Sequence, residues 1–184
     1  MISRLAKDGK LFYLLYAIVA FIAFWYWHVD EHYQISEFAS YKLGFTPIEN
    51  MAWEFNAKIR SGILPFFIYI ISKIALAVNA FHPFLVEAIA RVTAALFFVY
   101  SYRRFLEVFK KEHLEFSFDK FEIWTILFWL FPIIMVRYSS ESVSISFFLL
   151  GLSHFIKSKE VKVSFLWIGV LWGLSFYIRM QMAI

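Results

Sequence analysis

Three features of the sequence predict an all-α integral membrane protein. Of its 184 residues, 61% are hydrophobic and 17% charged, against about 45–50% and about 25% in soluble domains. The apolar residues gather in long runs rather than in strand-like alternation, so the runs read as helices. The charges gather between the runs. The same figures exclude a disordered chain, which needs low hydrophobicity. The absence of cysteine excludes a disulfide scaffold, and no repeat of solenoid length is visible.

A crossing helix needs about 20 mostly apolar residues. Leu11–Trp27 is an unbroken apolar run preceded by Arg4, Lys7 and Lys10. It ends in Phe24-Trp25-Tyr26-Trp27, too bulky for signal-peptide cleavage and suited to an interfacial aromatic belt. Further apolar runs cover Ile63–Phe81, Ala88–Tyr102, Ile123–Val136, Ser142–Ile156 and Val163–Ile178. Several are short and need flanking residues or tilt to cross.

The basic residues decide which runs cross. Suppose all six do and the N-terminus is cytoplasmic. Then Arg103, Arg104, Lys110, Lys111 and Lys120 lie outside, as do Lys157, Lys159 and Lys162, which inverts the positive-inside rule twice. Withdrawing one run before Arg103 moves both basic loops to the cytoplasm. Ile63–Phe81 is the run to withdraw, with Lys73 at its middle and Pro65 near its start. A central Lys costs about 2.5–3.5 kcal/mol on insertion scales, so this segment is expected in the interface or re-entrant. Arg91 falls near the outer end of the next run, where it is expected to snorkel.

The expected spans are therefore 11–27, 88–104, 121–136, 142–156 and 163–178, with an outer loop over 28–87 that carries a juxtamembrane helix at 63–81. The cytoplasmic side then holds 11 Lys/Arg and 7 Asp/Glu, and the outer side 7 and 7. The whole net charge of +4 becomes an orientation signal. Anionic lipid accounts for Lys110-Lys111, and nucleic acid is not an expected partner.

The outer loop carries the chemistry. His28-Val29-Asp30-Glu31-His32-Tyr33-Gln34 puts two adjacent carboxylates and two histidines beside the first span. Adjacent side chains diverge, so Asp30 and Glu31 suit separate tasks: one proton transfer, the other hydrogen bonding to a polar ligand. The bland alternative is that both simply solvate the loop. His28, Asp30 and His32 would share one side of an extended chain, and zinc accepts both ligand types. Three ligands within five residues, with no separate fourth, make a weak metal pattern. Residues 33–43 allow an amphipathic helix with Ile35, Phe38, Ala39 and Leu43 apolar and Gly44 as its stop. Trp53 is either an interface aromatic or a platform for sugar or lipid. His82 and His154 read as structural, and His113 as solvated in a basic loop.

His28-Val29-Asp30-Glu31-His32-Tyr33-Gln34, then Glu37, Trp53-Glu54-Phe55 and Arg60-Ser61 with Pro65, resemble the N-terminal signature of glycosyltransferase family 22. These are mannosyltransferases of the GT-C superfamily that use dolichyl-phosphate-mannose-type donors. The order and spacing match over residues 28–65, and more loosely to the end of the chain. The likeness is greatest to the branch that adds the third mannose in glycosylphosphatidylinositol assembly, and to its bacterial relatives. Val29 stands where that family usually has Pro, and Ala52 where Thr is common. Neither departure removes a carboxylate.

The resemblance implies a GT-C-type transmembrane helix bundle whose long first outer loop carries juxtamembrane helices. It implies transfer of a hexose, mannose, from a polyprenyl- or dolichyl-phosphate donor to a glycolipid or glycan acceptor on the non-cytoplasmic side. The membrane would be the endoplasmic reticulum in a eukaryote or the inner membrane in a bacterium, with the N-terminus cytoplasmic. Asp30 would be the general base, with Glu31 as the neighbouring catalytic carboxylate. The lipid phosphate leaves as a stable anion, so one base suffices, unlike the two-carboxylate glycosidase arrangement. No cofactor and no divalent metal are implied, so arginines must offset the phosphate charge. Arg60, Arg137 and Arg179 lie on the outer side, with Arg60 and Arg179 preferred; each is alternatively a headgroup anchor. His28, His32, Gln34, Glu37, Trp53, Glu54, Glu141 and Gln181 complete the expected substrate-binding set. Family members continue through several more spans, so these residues would be the N-terminal part of a longer, and only then active, enzyme.

Two other classes fit less well. A transporter subunit should bury charge mid-span, and such charges are nearly absent outside the Lys73 run. A membrane metallohydrolase built on His28, Asp30 and His32 would be sensitive to chelators.

The topology is testable because the chain has no cysteine. Thr46→Cys and Lys111→Cys, labelled one at a time in intact membranes, are expected on opposite sides. Labelling on the same side would break the five-span reading.

Overall fold

The computed structural model describes residues 9–23, 31–112, 123–124, 128, 130–157 and 165–179. Among them there are helices and turns but no strand. The first described helix, α1 (Lys10–Ile22), is followed among the described residues by a π-helical turn (His32–Ser36) that runs straight into α2 (Glu37–Leu43). Then come α3 (Trp53–Ala57), α4 (Ile63–Ala77), α5 (Pro83–Glu112), α6 (Leu130–Met135), α7 (Ser140–Lys157) and α8 (Phe165–Ile178).

The long helix α5 is the spine. Pro83 opens it, where a missing N–H is harmless and the fixed φ suits a helix. The His82 carbonyl accepts the N–H groups of Leu85 and Val86 at 3.0 and 3.1 Å. Lys110 and Lys111 fill the last turn, where cations complement the helix dipole. Thirty residues make it about 45 Å long at the α-helical rise, and Pro83–Lys111 is the one described helix long and apolar enough to cross a membrane. The apolar run seen in the sequence is thus the middle of a longer helix.

Two cores form along this spine. Phe12, Tyr16 and Ala20 of α1 pack on Ala95, Phe98, Val99, Tyr102 and Leu106. Nearer the start of α5, Val86, Ala90 and Ala94 meet Ile35 and Ala39, Leu64 and Ile68 of α4, Tyr138, Val143 of α7 and Ile178 of α8. The amphipathic pattern at 33–43 is therefore used as expected, with Ile35, Phe38 and Ala39 buried. Gly44 ends α2 at φ 82°, with Phe45 N–H bonded to the Ser40 carbonyl at 3.0 Å, a left-handed stop that glycine adopts without strain.

Helix α4 closes at Ala77, short of the 63–81 expected from hydropathy. Asn79 takes a left-handed φ of 54° and Ala80 N–H bonds back to the Ala75 carbonyl at 2.9 Å. Local turn chemistry, invisible to an apolar count, ends the helix there. Lys73 stays exposed, its Nζ 5.6 Å from the centre of the Tyr69 ring.

Arg91 corrects a second expectation. It does not snorkel to water; it is buried, and its Nε donates to the Ala20 carbonyl at 3.3 Å. Ala20 lies in the last turn of α1, where carbonyls lack intrahelical partners. A backbone acceptor at a helix C-terminus replaces the solvent that snorkelling would have sought.

The polar and apolar faces of α7 and α8 are inverted relative to a soluble bundle. Ser142, Ser144, Ser146 and Ser175 are fully buried, while Phe165, Leu166 and Trp167 are exposed. The Ser144 hydroxyl donates to the Ser175 carbonyl at 2.7 Å and Ser175 returns the bond to the Ser144 carbonyl at 2.9 Å. Small hydroxyl residues let helices approach closely and bond across the seam. At Gly151 a Cβ would stand 2.6 Å from the Trp172 ring. Gly151→Leu is therefore expected to destabilise the α7–α8 pair by about 1–3 kcal/mol, the usual range for overpacking. A thermal midpoint in detergent micelles equal to wild type would contradict this.

Candidate functional site

At the Pro83 end of α5, a cleft of about 260 Å³ opens between the outer-loop elements and the starts or ends of α4, α7 and α8. Its polar wall is Glu31, Gln34, Arg60, Ser61, Arg137, Ser139, Ser140, Glu141 and Arg179. Its apolar wall is Ile35, Leu64, Ile134 and Ile178.

Each arginine in the cleft is held by a glutamate. Arg137 Nη1 donates to both carboxylate oxygens of Glu31, at 3.1 and 3.2 Å. Their side chains are only 11% and 9% exposed. Arg60 donates from Nη2 and Nε to one Glu54 oxygen, at 2.7 and 3.2 Å. Arg179 pairs with Glu141 at 2.8 Å and donates to the Ser140 hydroxyl at 3.1 Å. Guanidinium groups fixed in this way are pre-aimed for planar, bidentate recognition of an oxyanion.

Local sequence explains how each group arrives. The π-helical turn begins just after Glu31 and closes with Glu37 N–H on the His32 carbonyl. It turns Gln34 and Ile35 into the cleft, and such turns are frequent at functional sites. Lys58 caps α3 at a left-handed φ of 53°, and Arg60 and Ser61 follow. The Ser61 hydroxyl then accepts the Ile63 N–H at 3.3 Å at the start of α4. Between α6 and α7, the Ser139 hydroxyl accepts the Ser142 N–H at 3.3 Å, an N-cap arrangement. The Ser142 hydroxyl donates to the Arg137 carbonyl, which fixes the turn that carries Arg137. The N-terminus of α7 thus faces the cleft, a position where helix N–H groups favour anions.

Neighbouring bonds fasten the same end. The Tyr138 hydroxyl donates to the Leu64 carbonyl at 3.2 Å, and the Ser36 hydroxyl donates to Glu87. Burial, with Glu87 nearby, raises the Tyr138 phenol above its usual range, so it stays a neutral donor. Burial also pushes the Glu31 carboxyl above the ordinary glutamate value, and the Arg137 charge and hydrogen bond pull against it. Desolvation wins that contest, as it often does for buried pairs.

Of the residues expected from the sequence, Glu31, Gln34, Arg60, Glu141 and Arg179 are brought together in the cleft. Glu54 acts behind it, through Arg60. His32 Nε2 lies 3.4 Å from Glu37 Oε1, and neither residue lines the cleft. Trp53 is 71% exposed on α3 and also stands apart from it. His28, Asp30 and Gln181 fall outside the described residues, so the His28–Asp30–His32 metal arrangement is represented by His32 alone. Arg137, which the sequence places behind Arg60 and Arg179, is the most deeply held of the three. Ser61 enters from the sequence only as part of the Arg60-Ser61 motif, and Ser139 and Ser140 are not among the expected binding residues. The run Ser139-Ser140-Glu141-Ser142, a capping sequence ahead of an apolar stretch, was the available signal.

Comparison with known proteins supplies a family. The family model described as the Alg9-like mannosyltransferase family matches residues 10–184. No curated protein and no solved structure matches the chain.

The Glu31–Arg137 pair generates a two-part prediction. Arg137→Met leaves a buried carboxylate without its cation and is expected to cost about 3–5 kcal/mol, while Glu31→Leu/Arg137→Met recovers most of the loss. Since the folded-state value of Glu31 lies above the unfolded one, its contribution is full below the unfolded value and is lost as pH rises through the folded one. Denaturant titrations in micelles between about pH 4 and about pH 7, spanning the carboxylate range, should show that component vanish in Glu31→Gln. An unchanged profile would contradict the assignment.

Proposed function

The chain belongs to the Alg9-like mannosyltransferase family and is a glycosyltransferase, and on that premise we propose that the arginine cleft binds the phosphate of a polyprenyl- or dolichyl-phosphate-linked mannose. The observation that carries this reading is the convergence of Arg60, Arg137 and Arg179 on one cleft, each preset by a glutamate. The acceptor is a glycolipid or glycan, and transfer takes place on the non-cytoplasmic side, in the endoplasmic reticulum or a bacterial inner membrane.

In this reading the acceptor hydroxyl oxygen attacks the anomeric carbon of mannose from the face opposite the phosphate. The new C–O bond forms as the bond to the phosphate oxygen breaks, so the configuration inverts. The proton passes to the Asp30 carboxylate, and the bonding electrons leave with the lipid phosphate. Glu31 holds Arg137 in position, and the α7 N-terminus and Ser140 add donors around the phosphate. Gln34 faces the same space with an amide suited to a sugar hydroxyl.

The charge distribution supports the topology. Arg104, Lys111, His154 and Lys157 gather round a small cleft formed by α5 and α7, and Gly9 lies against Arg103. The arginine cleft sits at the opposite end of α5, where Glu87 reaches Ser36. With the basic end cytoplasmic, as positive-inside bias demands, α1, α5, α7 and α8 cross. Much of the expected span 121–136 falls outside the described residues, and in this reading α4 lies at the outer surface. The buried serines and exposed Phe165, Leu166 and Trp167 fit hydrocarbon surroundings.

The test uses the full chain in membranes, with labelled mannose on a polyprenyl phosphate. Asp30→Asn is expected to lower kcat about 100-fold or more, the scale of general-base catalysis. Arg60→Gln and Arg179→Gln are each expected to raise the donor KM about tenfold, the loss of one charged hydrogen bond. Near-normal turnover by Asp30→Asn would remove Asp30 as the base. Loss of transfer on adding a chelator would favour a metal mechanism instead.

A further inference from the structure

Beside the arginine cleft lies a second opening of about 420 Å³, between α2, α3 and α4. Phe38, Phe55, Pro65, Phe66 and Tyr69 wall it, Gly62 leaves one side open, and Lys42 stands at its rim. Lys73 reaches the same region, since its Nζ lies 5.6 Å from the Tyr69 ring centre. Among the described residues no carboxylate lines the opening. The two openings are built back to back on the same segments. Arg60 and Ser61 face the first and Gly62 the second; Leu64 faces the first and Pro65 and Phe66 the second; Ile35 faces the first and Phe38 the second.

We propose that this groove seats a hydrocarbon chain of the lipid-linked acceptor, with the acceptor lipid's phosphate held between Lys42 and Lys73. The proposal rests on the mannosyl-transfer reading above. With a glycolipid as acceptor, that reaction brings two lipid-borne substrates to one anomeric carbon. The arginine cleft, tuned to a tightly held oxyanion, takes the donor phosphate. The second substrate must approach from beside it, with an apolar seat for its chain and a separate cation for its headgroup. An aromatic groove with exposed Lys42 at its rim, and Lys73 beside the Tyr69 ring that forms one wall, meets both needs. Lysine is a mobile point charge suited to a hydrated headgroup phosphate, and buried methylenes supply the hold on the chain.

Gly62 makes the proposal testable without disturbing the backbone. Its φ is −80°, and a Cβ there meets nothing within 4 Å, so Gly62→Trp fills the groove rather than straining the loop. The full chain is reconstituted in phosphatidylcholine vesicles containing a phosphatidic acid with a photoreactive acyl chain. After irradiation, label on the peptide covering 62–69 is measured. Gly62→Trp is expected to lower it about tenfold or more, and Lys42→Gln about two- to fivefold, the scale of one exposed ion pair. The Lys42→Gln variant keeps the test open should Gly62→Trp fail to fold. Photoreactive phosphatidylcholine should label the peptide weakly and without response to Lys42→Gln. Equal labelling by the two lipids, or labelling indifferent to Gly62→Trp, would overturn the proposal.

In transfer assays Gly62→Trp should raise the KM for a lipid-linked acceptor and leave the donor KM unchanged. Transfer intact with no groove labelling would overturn the groove alone. Groove labelling intact with no transfer would overturn the reaction reading and leave the anionic-lipid site standing.

Discussion

The cleft end of this molecule is organised by one buried ion pair. Glu31 opens the π-helical turn after the first helix, and Arg137 sits in the turn before α7, 106 residues later. Neither charge can be left alone at that depth, because an unpartnered buried ion costs several kcal/mol. The pair therefore obliges the first loop and the α6–α7 turn to meet, and the other polar links follow in register. Tyr138 reaches Leu64, Ser36 reaches Glu87, and Arg179 reaches Ser140 and Glu141. Burial pushes the Glu31 carboxyl up against the pull of Arg137, and a buried ion pair is in general weak evidence of stabilisation. An apolar replacement could hold the same elements, so the charges are more simply explained by what Arg137 presents to the cleft.

The spine beneath that end obeys different rules. Along α5 the contacts with α1 are mostly apolar and aromatic, but the α7–α8 seam is built from serine and glycine. In water such a seam would gain little, because exposed serines lose nothing by staying solvated. Where the surroundings cannot hydrogen-bond, hydroxyls turned inward toward backbone carbonyls are the lower-energy choice. The exposed aromatics of α8 are the other half of the same arrangement. Arg91 follows the rule as well: it bonds to a carbonyl freed at the end of α1 instead of reaching outward.

Much of this was legible in the sequence, for definable reasons. Hydropathy located α1, α4, α5, α7 and α8 because a long apolar run needs no partner to be recognised. The helix at 33–43 was legible from its periodicity and its terminal glycine. The cleft arginines were legible as cations lying between or at the ends of apolar runs, and Glu31 and Gln34 of the motif line the cleft with them. What escaped depended on distant partners. The rank of Arg137 depends on Glu31, the burial of Arg91 on Ala20, and the early stop of α4 on the left-handed turn at Asn79. Trp53, for which the sequence left an interface aromatic and a sugar platform both open, is exposed and stands apart from the cleft. Type and spacing could not tell it from an interface aromatic.

The pairing of every cleft arginine with a glutamate bears on catalysis if the cleft takes a lipid-phosphate sugar. A bare cluster of three guanidinium groups would bind donor and product phosphates tightly and indiscriminately, and tight binding of both lowers KM without raising kcat. Among the lining groups, three arginines face two glutamates, so the attraction for a singly charged phosphodiester is moderated. As the bond to mannose breaks, the phosphate gains a second negative charge. Arginines already aimed by their glutamates would respond to that added charge more strongly than to the ground state, which is the differential stabilisation that speeds a reaction. On that reading the glutamates would both fix the donors in place and moderate their hold on the ground state.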